Sequence, residues 1–204
     1  MSKKSAELVF IVDRSGSMTS IAQDMEGAIK SVLKDQKKLE QDIYATLVRF
    51  DDEYEKVFTH KPIADVKDIS IEPRSMTALL DAIGKTVNSF EREYSEMEEK
   101  DRPDKVLFII ITDGGENASQ EFTRDKVFGI IETVKRDHNW EFTFIGANQD
   151  AIGEGGNLGI ERGKSINFVA SAQGVRSMSE SLSSFTSDFL DCGEANFEDD
   201  GDSE

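Results

Sequence analysis

Residues 106–111 read VLFIII, an unbroken and largely β-branched apolar run that stops at Thr112-Asp113-Gly114-Gly115. A strand with one wet face alternates polar and apolar residues, so a run without alternation fits a strand covered on both faces, as in the middle of a parallel sheet. A chain with such a strand must supply helices for both faces, on crossovers long enough to bring the backbone back to the same end of the sheet. This one segment commits the chain to alternating strands and helices.

The other signals fit that order. LVFIV at 8–12 is a second strand of the same kind, and Ile21, Met25, Ala28, Ile29 and Val32 follow at helical spacing, with Ser20 and Gln23 predicting a capping box. IYATLVRF at 43–50 and YEKVF at 54–58, separated by Asp51-Asp52, predict a hairpin that adds an antiparallel edge strand. Leu80, Ile83, Val87, Phe90 and Tyr94 predict a helix starting close to Thr77, and Val127, Ile130, Ile131 and Val134 predict another. FTFIGA at 142–147 and INFV at 166–169 read as strands, with the stretch holding Gly153, Gly155, Gly156 and Gly159 predicted as a loop between them. Val175, Met178, Leu182, Phe185 and Phe189 predict a last helix. The expected fold class is α/β: a Rossmann-like, open, mostly parallel six-stranded sheet with one antiparallel edge strand and helices on both faces.

At 204 residues the chain is long enough for one core, so a single domain is expected over 1–193, followed by an acidic, disordered tail at 194–204. The balance of 24 basic against 41 acidic residues, a formal charge of -17, repels a phosphate backbone and argues against nucleic acid as a partner. Cys192 stands alone, so no intrachain disulfide forms. Asp13 cuts the first apolar run far below the length of a signal peptide or membrane span, and a soluble cytoplasmic protein is expected.

On an open α/β sheet, ligands bind where the strands end. Directly after the first strand, Asp13, Ser15 and Ser17 occupy alternate positions, where extended backbone sends all three side chains the same way, and Gly16 lets the loop turn. Asp113 closes the 106–111 strand; if the two strands are neighbours, its carboxylate lies across one crevice from Asp13. An oxygen-only set of this kind suits a hard cation, Mg²⁺ above all, with Mn²⁺ or Ca²⁺ as substitutes, and the imidazole and thiolate ligands that zinc favours are missing. Two aspartates roughly neutralise a dication, whereas neutral hydroxyls add coordination while leaving it able to attract one more anion.

The loop Asp13-Arg14-Ser15-Gly16-Ser17, with Thr77 and Asp113 following in order, resembles the metal-ion-dependent adhesion site of the von Willebrand factor A domains. The similarity runs from Leu8 to about Phe189, and SMTALLDAIG with ITDGGENAS looks most like the intracellular members of bacteria and their phages. The resemblance implies that Ser15, Ser17 and Thr77 coordinate the metal directly, that Asp13 and Asp113 bind it directly or through water, and that a Glu or Asp of a partner protein completes the shell. Ser75-Met76-Thr77-Ala78 departs from the family's frequent Gly before and Pro after the threonine. The function so implied is a divalent-cation-dependent protein-binding module, not an enzyme.

Any one of these residues alone would read as a turn carboxylate or a helix cap; the ordered set of five carries the assignment. Glu116 and Asn117 are candidates for supporting the ligands from behind, or for a plain polar loop. The glycines at 153–159 lack the Lys-Ser/Thr pair of a phosphate loop, and His60 and His138 have no credible partner for chemistry. The alternative from another class is a metal-dependent hydrolase of the PIN nuclease type, with Asp13, Asp113, Glu116 and Asp150 holding ions that activate water.

Overall fold

In the computed structural model, which describes residues 4–147 and 150–197, β1 (Ser5–Asp13) and β4 (Lys105–Thr112) lie side by side as parallel strands at the centre of the sheet. Alternate side chains of β1 leave by opposite faces. Leu8, Phe10 and Val12 meet helices α1 (Ala22–Gln36) and α5 (Ala172–Cys192), while Val9 and Ile11 join the core under α2 (Leu79–Glu96) and α3 (Arg124–His138). Both runs are unbroken because both faces of the sheet are covered.

β2 (Asp42–Phe50) pairs parallel with β1, and β3 (Tyr54–Pro62) pairs antiparallel with β2. On the other side, β5 (Glu141–Ala147) and β6 (Ser165–Phe168) extend the parallel set. The order β3-β2-β1-β4-β5-β6 is the expected six-stranded sheet with one antiparallel edge strand. Strand order reverses between β1 and β4, so the ends of these two strands open onto a crevice. Among the described residues, no helix is long and apolar enough to cross a membrane.

Some local expectations are corrected. Ser20 and Gln23 form no capping box: Ile21 is the cap residue of α1 and no side chain bonds there, because Gly16–Ser20 already winds as a 3₁₀ turn leading into the helix. The glycine-rich stretch is not simply a loop, since Ala151–Asn157 forms a short helix, α4. Asp150 Oδ1 accepts from Gly153 N at 2.8 Å, Asn167 Oδ1 accepts from Ala151 N at 2.8 Å, and a Cβ on Gly155 would stand 2.4 Å from Ser165 Oγ. Neighbouring elements impose this helix where local propensity opposes it.

Of the segment expected as a tail, Ala195 is buried, Phe197 stacks on Phe185 and Phe197 N donates to Gly163 O at 2.7 Å, so residues 194–197 are docked. The remaining tail residues, 198–204, lie outside the described residues. His60 has a structural role: its Nδ1 lies 2.6 Å from Oε2 of the fully buried Glu7, whose Oε1 accepts from Thr46 Oγ1 at 2.7 Å. This satisfies a carboxylate that burial would otherwise leave unpaired. His138 stacks on Trp140 in the aromatic cluster beneath α2 and α3.

Candidate metal centre

β1 delivers Asp13 fully buried at the crevice, and the extended backbone at Ser15 (φ -63°, ψ 167°) carries the chain out to Ser17. Asp13 Oδ1 accepts from Ser15 N at 2.6 Å, and its Oδ2 accepts from Thr112 Oγ1 at 2.6 Å across the β1–β4 boundary. The Ser15 and Ser17 hydroxyls are 3.0 Å apart, and Ser17 Oγ donates to Asp113 Oδ1 at 2.5 Å. Thr77, 3% exposed, reaches the same place from the segment before α2. A Cβ added to Gly114 would stand 3.4 Å from Ser17 Oγ and 3.6 Å from Thr77 Oγ1, so Gly114 borders the gap between these hydroxyls. All five residues singled out in the sequence therefore come together.

The loop of Asp13–Ser17 is braced from the β2 side. Gly16 N donates to Ser75 O at 3.1 Å and Arg74 N to Arg14 O at 2.8 Å, which lays the segment before Thr77 alongside it. Ser75 takes a left-handed backbone (φ +57°), a conformation that glycine adopts at less cost, and its hydroxyl bonds to Asp52, holding that carboxyl below its ordinary range. The departure from the family's Gly is thus accommodated. Arg14, buried, pairs with Glu55 at 2.7 Å and Asp51 at 3.4 Å. Sequence reasoning passed over Arg14 and Thr112; the signal for Arg14 was a cation inside the loop with a run of acids, Asp51 to Glu55, at the next strand end.

Burial pushes the Asp13 carboxyl up to about 6, against hydrogen bonds from Thr112 and Ser15, and the neighbouring charge of Asp113 adds to the rise. Asp113 is also raised by burial, against its bond from Ser17. The protein alone compensates these two anions poorly, which is what a cation site requires. The donors at hand are hard oxygens, and the nearby hydroxyls are neutral. Among the described residues no three His, Cys, Asp or Glu side chains form a cluster that could hold a metal, so a cation held here would need neutral oxygens beside the two carboxylates.

The hydrolase alternative also drew on Glu116 and Asp150. Glu116 does not join Asp13 and Asp113: its Oε1 accepts from Ala118 N (2.9 Å) and Ser119 N (2.7 Å), and its Oε2 from Leu80 N (2.9 Å) and Ser119 Oγ (2.7 Å). Asp150 caps α4. Among the described residues, neither acid therefore joins Asp13 and Asp113.

The sequence matches the von Willebrand factor type A domain over residues 7–180. The chain belongs to that family. No curated protein sequence matches the chain. As a von Willebrand factor type A domain it resembles several solved structures in fold. A proximal thread matrix protein 1 from mussel byssus, described with a zinc-occupied MIDAS motif, aligns with TM-score 0.65 at 18% identity, over 91% of this chain and 46% of that one. The ArnB paralog VWA2 of Sulfolobus acidocaldarius aligns with TM-score 0.60 at 15% identity, over 91% and 46%. The pilus adhesin SpaC of Lactobacillus rhamnosus GG aligns with TM-score 0.65 at 12% identity, over 90% and 30%. The chain thus spans less than half the length of these proteins.

The gap beside Gly114 gives a first expectation. Gly114→Val would project a side chain toward Ser17 Oγ and Thr77 Oγ1. Because its φ is not in the left-handed range, the fold should lose no more than about 1 kcal/mol. Binding of Mn²⁺ measured by calorimetry should fall by at least about tenfold; unchanged affinity would show that this gap is not the cation's place.

Proposed function

We propose that this domain is a divalent-cation-dependent protein-binding module: Asp13, Ser15, Ser17, Thr77 and Asp113 hold Mg²⁺, and an acidic side chain of a partner protein completes the shell. The observation that carries this reading is the convergence of three hydroxyls and two poorly compensated carboxylates at one strand-end crevice. Bound there, the cation supplies a hard Lewis-acidic centre with charge to spare for an outside carboxylate. The zinc-occupied MIDAS of the mussel protein and the adhesin among the similar folds support a metal-dependent binding role. Mg²⁺ rather than zinc is favoured because neither imidazole nor thiolate is among the five donors.

The chain's own residues do the rest. Thr112 and Ser15 N fix the Asp13 rotamer, and the bond from Ser17 Oγ fixes Asp113. Arg14, drawn into ion pairs with Asp51 and Glu55, keeps its charge out of the crevice, so the partner's carboxylate meets a cation and not an internal competitor.

Affinity capture tests the proposal, with wild type and Asp13→Ala each run in Mg²⁺ and in EDTA. Proteins held by wild type in Mg²⁺, released by EDTA and absent from Asp13→Ala are expected. Capture indifferent to both changes overturns the reading, as does Mn²⁺-dependent turnover of labelled DNA, RNA or phosphoesters that Asp13→Ala abolishes.

A further inference from the structure

Thr77 and Asp113 come from segments far apart in sequence, yet the structure fastens them into one unit. Thr77 N donates to Asn117 Oδ1 at 2.9 Å, while Asn117 N and Ala118 N donate to Thr77 O at 3.0 and 3.2 Å. Residue 117 therefore grips the Thr77 backbone on both sides. One turn further on, Glu116 Oε2 takes Leu80 N at 2.9 Å and Ser119 Oγ takes Asp81 N at 3.0 Å. The Asp81 carboxylate, 8% exposed, returns the grip by accepting from Gln120 N, Glu121 N and Phe122 N at 3.0, 2.9 and 2.8 Å. The start of α2 and the loop after Asp113 are thus joined from Thr77 to Phe122.

The chain neighbours of Thr77 are held elsewhere, Ser75 O accepting from Gly16 N at 3.1 Å and Ala78 N donating to Asp51 O at 2.8 Å, so that among the described residues the Thr77 peptide itself is held by Asn117 and Ala118. Met76 before it is 54% exposed, and Ser75 sits in a backbone region that its side chain disfavours. The hydroxyl of a threonine rides on Cβ, one torsion from the backbone, so fixing the peptide on both sides fixes where the oxygen can go. We propose that Asn117 is a positioning residue: its side-chain oxygen holds Thr77 against the Asp113 loop, with Glu116 and Asp81 anchoring that loop behind it, and thereby sets the affinity of the site for its divalent cation. The inference rests on the five residues binding a cation, and its test separates the two.

Mn²⁺ is the probe, titrated by calorimetry into wild type, Thr77→Ala, Asn117→Ala and the double variant, with Asp13→Ala as the reference for a lost site. Asn117→Ala should weaken Mn²⁺ about 10- to 100-fold, and so should Thr77→Ala. In the Thr77→Ala background it should change affinity by less than about twofold, because the residue it acts through is gone. Water-proton relaxation of bound Mn²⁺ should report one more exchanging water in both single variants. Asn117→Asp, which keeps the acceptor oxygen, should bind Mn²⁺ at least as tightly as wild type, and it serves as the folded control should Asn117→Ala melt early in EDTA. Undiminished affinity in Asn117→Ala, or full additivity with Thr77→Ala, overturns the positioning role while leaving the cation site standing. Wild type that binds no more Mn²⁺ than Asp13→Ala overturns both.

Discussion

In buffer containing EDTA, Asp13→Asn is expected to raise the melting temperature by about 6–12 °C while erasing the response of the domain to Mg²⁺ and Mn²⁺. The Asp13 carboxyl is fully buried and pushed up to about 6 from 3.8. A raised pKa means that folding favours the protonated acid: the stabilisation is complete below pH 3.8, fades as pH rises to about 6, and is absent above. At about 1.4 kcal/mol per unit, the ionised side chain lowers stability at neutral pH by about 3 kcal/mol. Asparagine removes that charge and fits the same bonds. Its Oδ1 can accept from Ser15 N, and its amide can donate to Thr112 Oγ1, whose own hydrogen can turn to Gly114 O, 2.9 Å away. Cation binding stabilises the wild type by RT ln(1 + [M]/Kd), about 2.7 kcal/mol at a hundredfold excess over Kd, so the order of melting temperatures should narrow or reverse as Mg²⁺ is added. Differential scanning calorimetry in EDTA and in Mg²⁺ measures both halves. An Asp13→Asn variant less stable than wild type in EDTA would contradict this account of the crevice.

Asp81→Ala is expected to cost about 3 kcal/mol, with the opposite pH signature. Burial alone would raise the Asp81 carboxyl, but backbone amides of Gln120, Phe122 and Glu121, with Lys85 nearby, outweigh it and hold the carboxyl below its ordinary range. A lowered pKa means stability that is present above the unfolded value, 3.8, and lost as pH falls through the folded value. Alanine leaves three backbone donors without their acceptor and frees the loop that carries Asp113. Urea denaturation at pH 7 should show the loss, and the difference between wild type and variant should shrink below pH 4. The two aspartates therefore bracket the chelated wild type: on their account its stability rises as pH falls from about 6 towards 4 and falls again below 4. A constant difference between Asp81→Ala and wild type down to pH 3 would show that the carboxylate contributes nothing as an anion.

The sheet was legible because its cause is local and repeated. VLFIII and LVFIV are unbroken since each residue of these two runs meets one of two cores, and the acids at the ends of the strands mark the crevice. The five candidate residues could be singled out because four of them stand at strand ends or within one short loop after them. What the sequence hid depends on contacts across the fold. α4 forms over three glycines because Asp150, Asn167 and the close approach of Ser165 hold it, against its own propensity. The fastening of Thr77 by Asn117 and of loop 120–122 by Asp81 joins segments some forty residues apart, and no periodicity within either segment encodes it. The role of Glu116 followed the same pattern: in sequence it was a third acid beside Asp113, and in the fold its oxygens are occupied by amides and a hydroxyl.

The central claim is that five residues, three of them hydroxyls, hold one divalent cation. Anomalous diffraction from crystals of the wild-type chain grown in saturating Mn²⁺ tests it most directly. The account predicts a single anomalous peak at the crevice between β1 and β4, at coordination distance from Ser15, Ser17 and Thr77, and no such peak in Asp13→Ala. No peak there, or a pair of peaks about 3.5–4 Å apart against Asp13, Asp113 and Glu116 as in two-metal hydrolases, would contradict it.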